Sequence, residues 1–319
     1  VFVLLFGKCP ALFALRRETR LDTDAPDHIS FIRRSLESGE LLPGDSFYRG
    51  GDGAGFDPRK GIWHPVMSLW AWQADTDVQT LWSAAPAVLA FFALVVFWFF
   101  AGELSGSIPV KALSVIFLLL FFRGDGLTWL GKLSYSRNIS QMLLWGTCGL
   151  VIRYMRERRG RDLATAAVAA IAGTAIHLSF ALVLAVFLFA LLVYTVIPRW
   201  GEEWRGRFWK AAPLVAASAA VPLAVRLIHF PGEAAMIHTH TQGMMETGLG
   251  LRMIDPAGLI TEMGFPFLFA VLLIPVFPLI TAGYKRSKMV WTLFSVPAVI
   301  VLLPLSATLL DMKGGYMHF

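Results

Sequence analysis

The chain has 319 residues, with 28 Lys and Arg against 22 Asp and Glu and a formal net charge of +6. Hydrophobic residues make up 56%, charged residues 16%, and mean hydropathy is +0.61, whereas a soluble domain carries about 25% charged residues. A soluble globular chain is excluded, and the continuous apolar runs exclude a β-barrel, whose strands alternate over about 10 residues.

In chain order, about nine spans are predicted: residues 1–15, 81–101, 108–122, 139–154, 162–177, 180–197, 210–228, 259–282 and 289–310. Most hold an apolar stretch near the length a helix needs to cross hydrocarbon, about 20 residues. The expected fold is all-α, a polytopic transmembrane helical bundle forming one domain over 1–319. The long first outer loop, 16–80, carries short amphipathic helices. The first apolar run is short and opens on Val1, and "KGGYMHF" follows the last span directly; the reading expects a chain incomplete at both ends. Cys9 and Cys148 both lie in apolar runs and give no disulfide or metal spacing.

Alternation of the spans puts "GELSGS", "RYMRERRGRD", "PRWGEEWRGRFWK" and "GYKRSK" on one face. Short loops rich in Lys and Arg stay in the cytoplasm, so the basic surplus belongs there and not to a nucleic-acid surface. The opposite face receives loop 16–80, loop 123–138, the turn at His177, loop 229–258 and the end of the chain. Loop 16–80 holds eight basic residues but is long enough to translocate regardless of charge. All seven histidines, His28, His64, His177, His229, His238, His240 and His318, fall at or near this outer face.

The first acidic cluster, "DTDAPDHISFIRR", follows the first apolar run. Residues Asp24 to Ser38 are predicted to form a short helix with Asp24 as N-cap, Pro26 in the first turn and Gly39 as terminator. Ile29, Ile32 and Leu36 recur at helical spacing, so the helix is expected to lie apolar side down on the membrane. Asp24, Asp27 and His28 share one face. Carboxylates there suit two tasks: general base toward an acceptor hydroxyl, and oxygen ligands for a divalent cation that neutralises a phosphate. Asp24 and Asp27 are the catalytic candidates and also the candidate metal ligands. Capping alone is the plainer role for either.

Further candidates follow along the outer face. His28 and His64 would contact substrate. Arg123, Lys132 and Arg137 flank "GDGLTWLGKLSYS" and suit a lipid phosphate. His177 sits where two short spans turn. His238 and His240 in "MIHTHTQGMM" share a face if the segment is extended. The glycines of "YRGGDGAGFDP" mark a flexible loop without a phosphate-cradling register. "NIS" at Asn138 matches a glycosylation sequon but abuts a span.

The span, the acidic cluster opening a long outer loop ("SLESGELLPGDSFY"), "HP" before the next span, "YSRNISQMLLW" and "AAIAGTAIHLSFALVLAVFLF" together resemble the GT-C glycosyltransferases. These polytopic enzymes include protein mannosyltransferases and aminoarabinose transferases. The resemblance is one of architecture over most of the chain. It implies a polyprenyl-phosphate-linked sugar donor, and a glycan, lipid or protein acceptor on the non-cytoplasmic face of the plasma (bacterial inner) membrane. It also implies an acidic catalytic residue in the first outer loop, with Mg or Mn as the cofactor if one is used. Asp24 matches that position best and Asp27 next; the paired Asp-Glu of some members is absent. The competing readings are a transporter, disfavoured by few intramembrane charges, an outer-face glycan ligase or polymerase, and a scaffolding membrane protein.

Overall fold

The computed structural model describes residues 25–40, 43, 45–50, 53–55, 61–121, 126–197, 201–229, 288–290, 292–293 and 295. The predicted spans 1–15 and 259–282, nearly all of 289–310, and loop 229–258 after His229 lie outside them, as do Asp24, Arg123, His238 and His240.

The described chain is helical apart from one small hairpin. Helix α1 (Ala25–Ser38) opens the described chain. Strands β1 (Asp45–Gly50) and β2 (Gly53–Gly55) pair antiparallel, with a register break between Asp45 and Arg49. Helix α2 (Trp63–Gln73) leads into α3 (Val78–Leu104). Then come α4 (Ile108–Phe121), α5 (Gly126–Gly131), α6 (Ser136–Glu157), α7 (Gly160–Ile176), α8 (Ser179–Val196) and α9 (Glu202–His229).

Helices stand at each of the six predicted spans from 81–101 through 210–228. Three helical stretches are long and apolar enough to cross a membrane: Val78–Leu104, Ser179–Val196 and Glu202–Val225. The short helix α4 is also apolar. Helix α7 has only 17 residues. Helix α6 begins with "SRNISQ" and ends with "RYMRE", which dilutes its apolar centre.

Local chemistry sets the boundaries. Asp77 caps α3 by accepting from the backbone N–H of Gln79 (2.9 Å) and Thr80 (3.1 Å). Gly39, at φ 72°, ends α1 by donating its N–H to Ser35 O. Arg158 closes α6 in the left-handed region at φ 59°.

Lipid is as apolar as Leu, so helices in a membrane are held by close packing and not by burial from water. Helix α7, "GRDLATAAVAAIAGTAI", supplies that packing: Ala166 and Ala170 are fully buried and Gly173 lies against the Phe180 ring. Gly149 of α6 likewise receives Phe99. The outward residues stay apolar, as Val88, Phe91, Phe92, Val95 and Trp98 of α3 show.

The bundle has two chemically distinct ends. At one, Arg153 makes two bonds to the buried Asp162 (2.9 and 2.6 Å) across the α6–α7 turn. Arg156 bonds Glu103 at the end of α3 (2.7 Å), and Arg207 of α9 donates to the last carbonyls of α6, Met155 and Arg156. The end of α3, the end of α6 with the start of α7, and the beginning of α9 thus meet at one end. Histidines and aromatic residues gather at the other end.

Two expectations are corrected. Helix α1 is expected apolar side down on the membrane, but two of its three spaced apolar residues lie inside the protein: Ile29 is 5% and Ile32 0% exposed within the core shared with α2 and α3, while Leu36 stays exposed. The glycine-rich stretch at 50–55, expected to be a flexible loop, contributes to a hairpin, with Gly50 opposite Gly53.

Candidate functional site

The histidine end is assembled from α1, α2, the start of α3, the turn before α6 and the α7–α8 turn. His28 of α1 and His64 of α2 meet there, Nδ1 to Nε2 at 2.8 Å, with their rings stacked at 5.1 Å. Both are buried. Trp82 stacks on His28 from α3 (5.6 Å), Tyr135 approaches it edge-on (5.1 Å), and Phe31 packs edge-on against His64.

The hydrogen bonding constrains the proton positions. His64 Nδ1 faces Gly61 O at 3.3 Å, and a carbonyl only accepts. His64 therefore carries a proton on Nδ1, and its Nε2 shares one proton with His28 Nδ1.

Ser134 ties three elements together. Its hydroxyl donates to Trp82 O (2.5 Å), and its carbonyl accepts from Trp63 Nε1 (2.6 Å). The Trp82 carbonyl is available because residue 86, which would donate to it in an uninterrupted helix, is proline. Ser134→Ala is expected to lower stability by about 1–2 kcal/mol by stranding that carbonyl, measured as a fall in Tm in detergent. Pro86→Ala restores an N–H, so the same serine change should have less effect in that background. An equal effect in both backgrounds would break this account.

Asp27 lies half-buried in the first turn of α1, directly before His28, and Asp24 immediately precedes the helix but lies outside the described residues. Arg33 pairs with Asp77 at 2.9 Å, and that contact chiefly holds the Asp77 carboxyl below its usual range. Lys132 and Arg137, both half-buried, flank the turn that carries Ser134 and Tyr135.

Asn138 is buried in the first turn of α6, its side-chain amide donating to Lys132 O at 2.7 Å. It serves as a structural amide here, in a place a glycan could not occupy.

His177 caps the α7–α8 turn: its Nδ1 accepts from Ser179 Oγ (2.6 Å) and Ser179 N (3.2 Å). It lies close to the imidazole pair through the backbone. Ile62 N donates to Ala175 O (3.1 Å), and Gly61 lies directly under the carbonyls of Ala175 and Ile176.

Of the candidates, His28 and His64 are in contact; His177 follows the α7 end on which residues 61 and 62 rest, and Asp27, Lys132 and Arg137 are tied to this end through the neighbouring His28, Ser134 and Tyr135. Among the described residues, no three His, Cys, Asp or Glu side chains form a group able to hold a metal ion. Sequence reasoning passed over Gly61, Trp63, Trp82, Ser134 and Tyr135. Only Pro86 left a readable signal, because a proline inside a span requires another donor for the carbonyl four residues earlier.

No protein-family model, curated protein or solved structure matches this chain.

Proposed function

We propose that the protein is an integral membrane glycosyltransferase that moves a sugar from a polyprenyl-phosphate donor to a glycan, lipid or protein acceptor. Its histidine end would face the non-cytoplasmic side of the plasma (bacterial inner) membrane. One observation carries the reading: Asp27–His28, His64, the Lys132–Arg137 turn and His177 come from separate elements and meet at one end of an apolar bundle. A scaffold has no need of such a gathering.

The chemistry follows from the residue types. An aspartate of the α1 start, Asp24 or Asp27, takes the proton from the acceptor hydroxyl. The hydroxyl oxygen attacks the anomeric carbon, the bond from that carbon to the phosphate oxygen breaks, and the phosphate leaves with the electron pair. The configuration inverts. Lys132 and Arg137, with Arg123, supply positive charge for the phosphate. His28 and His64, engaged with each other, act as positioning residues that lock α1 against α2 and aim its first turn. A divalent cation, Mg or Mn, would be held by Asp24 and Asp27 and would supply charge to neutralise the leaving phosphate.

Purified chain in proteoliposomes, given polyprenyl-phosphate hexose or pentose radiolabelled in the sugar together with a membrane extract holding glycan, lipid and protein acceptors, is expected to move label to an acceptor and release polyprenyl phosphate. Folded protein that releases none from either donor overturns the reading. Transfer that survives EDTA leaves the aspartates as bases alone. Transfer lost to EDTA and returned by Mg²⁺ or Mn²⁺ makes them ligands as well.

A further inference from the structure

We propose that α2 is an interfacial helix whose outer face is covered by the acyl-chain boundary of the bilayer, a role apart from any glycosyl transfer. Residues 61–74, "GIWHPVMSLWAWQA", contain no Asp, Glu, Lys or Arg. The helix within them has 11 residues. At about 1.5 Å per residue that is roughly 16 Å, half of the ~30 Å hydrocarbon layer, so the helix cannot cross.

Both of its faces are nonetheless dominated by apolar groups. Met67, Ser68, Ala71 and His64 turn inward and are at most 5% exposed. Ile62, Val66 and Leu69 follow i, i+4, i+7 on the outer side and are 44%, 42% and 52% exposed, with Trp72 beside them at 69%. Helix α1, packed on its inner side, is different: its outward residues include Arg33, Arg34 and Glu37. Of these two helices, α2 is the one with an apolar outer face.

Lipid is the occupant that fits. Helix α2 runs through a short turn, with Asp75 at φ 46°, directly into the membrane-spanning α3. The exposed Val88, Phe91 and Phe92 of α3 continue the apolar surface into the span. Charge returns only at that turn, where Asp77 meets Arg33. Exposed Trp72 and partly buried Trp70 are the side chains that favour the headgroup level, where an amphipathic ring meets water and hydrocarbon together.

The test uses the full chain in nanodiscs, with Cys9→Ser and Cys148→Ala as background and single nitroxide labels at Val66→Cys, Leu69→Cys and Gln73→Cys on the outer face of α2. Glu37→Cys on α1 is the water-facing reference. Labels on α2 are expected to collide with oxygen several-fold more, relative to a water-soluble nickel chelate, than the label at 37. A ratio at 66 and 69 equal to that at 37 would place the face in water and overturn the proposal. So would protection of 66 and 69 from both reagents, which would mean that a second copy or another protein covers the face.

Discussion

Asp24→Asn is expected to yield a folded, membrane-inserted protein in which glycosyl transfer is nearly abolished. The substitution keeps the shape and most hydrogen bonding but removes the charge. Loss of a general base lowers a rate by roughly 10²–10⁴. Loss of a helix cap costs about 1 kcal/mol of stability, and asparagine is itself a good cap, so a purely capping Asp24 leaves transfer near normal. The two roles thus differ by orders of magnitude in a single kinetic measurement. Asp27→Asn is the companion. It lies in the first turn of α1, directly before the His28 that packs on His64 and Trp82. If Asp24→Asn is active and Asp27→Asn is dead, the chemistry stands and the base is Asp27. Normal transfer by both variants removes the acidic start of α1 from the reaction.

The helices were legible where the sequence has contrast. The predicted span 81–101 lies within helix α3, Val78–Leu104, whose start is fixed by Asp77 as N-cap. Helix α1 ends at the glycine its sequence offered, Gly39, at φ 72°. Periodicity needs a polar face to reveal a helix, and residues 61–74 carry no charge on either side, so the pattern does not set α2 apart. The hairpin was missed for the opposite reason: glycines contribute no side-chain pattern.

Alternation of charged and uncharged turns was enough to put His28, His64 and His177 at one end of the bundle. It could not show that His28 and His64 bond each other, since that depends on how α1 folds back along α2, a contact between residues 36 positions apart. The same limit hid Trp82 and Tyr135, whose rings enclose His28. The sequence marks which residue types are unusual in an apolar chain. Aromatic residues are common in such a chain, and those used in the site look no different from those facing lipid.

Gly61→Ala is expected to destabilise the protein by about 3 kcal/mol, the upper end of what overpacking costs. A Cβ at residue 61 would stand inside contact distance of the Ala175 and Ile176 carbonyl oxygens. Those are backbone atoms and cannot rotate aside as a side chain would. Relief requires the chain before α2 to move off the end of α7, which breaks the Ile62 N–H bond to Ala175 O. The same displacement moves the Gly61 carbonyl that faces His64 Nδ1. Stability and transfer should therefore fall together, read as a lower Tm in detergent and a slower release of polyprenyl phosphate. Gly206→Ala is the control, since nothing lies within 4 Å of a Cβ there. In a helix interior, alanine for glycine stabilises by about 0.5–1 kcal/mol, so that Tm should hold or rise. A Gly61→Ala protein with unchanged Tm would mean that the start of α2 does not rest on the end of α7, and His64 and His177 would then no longer belong to one site.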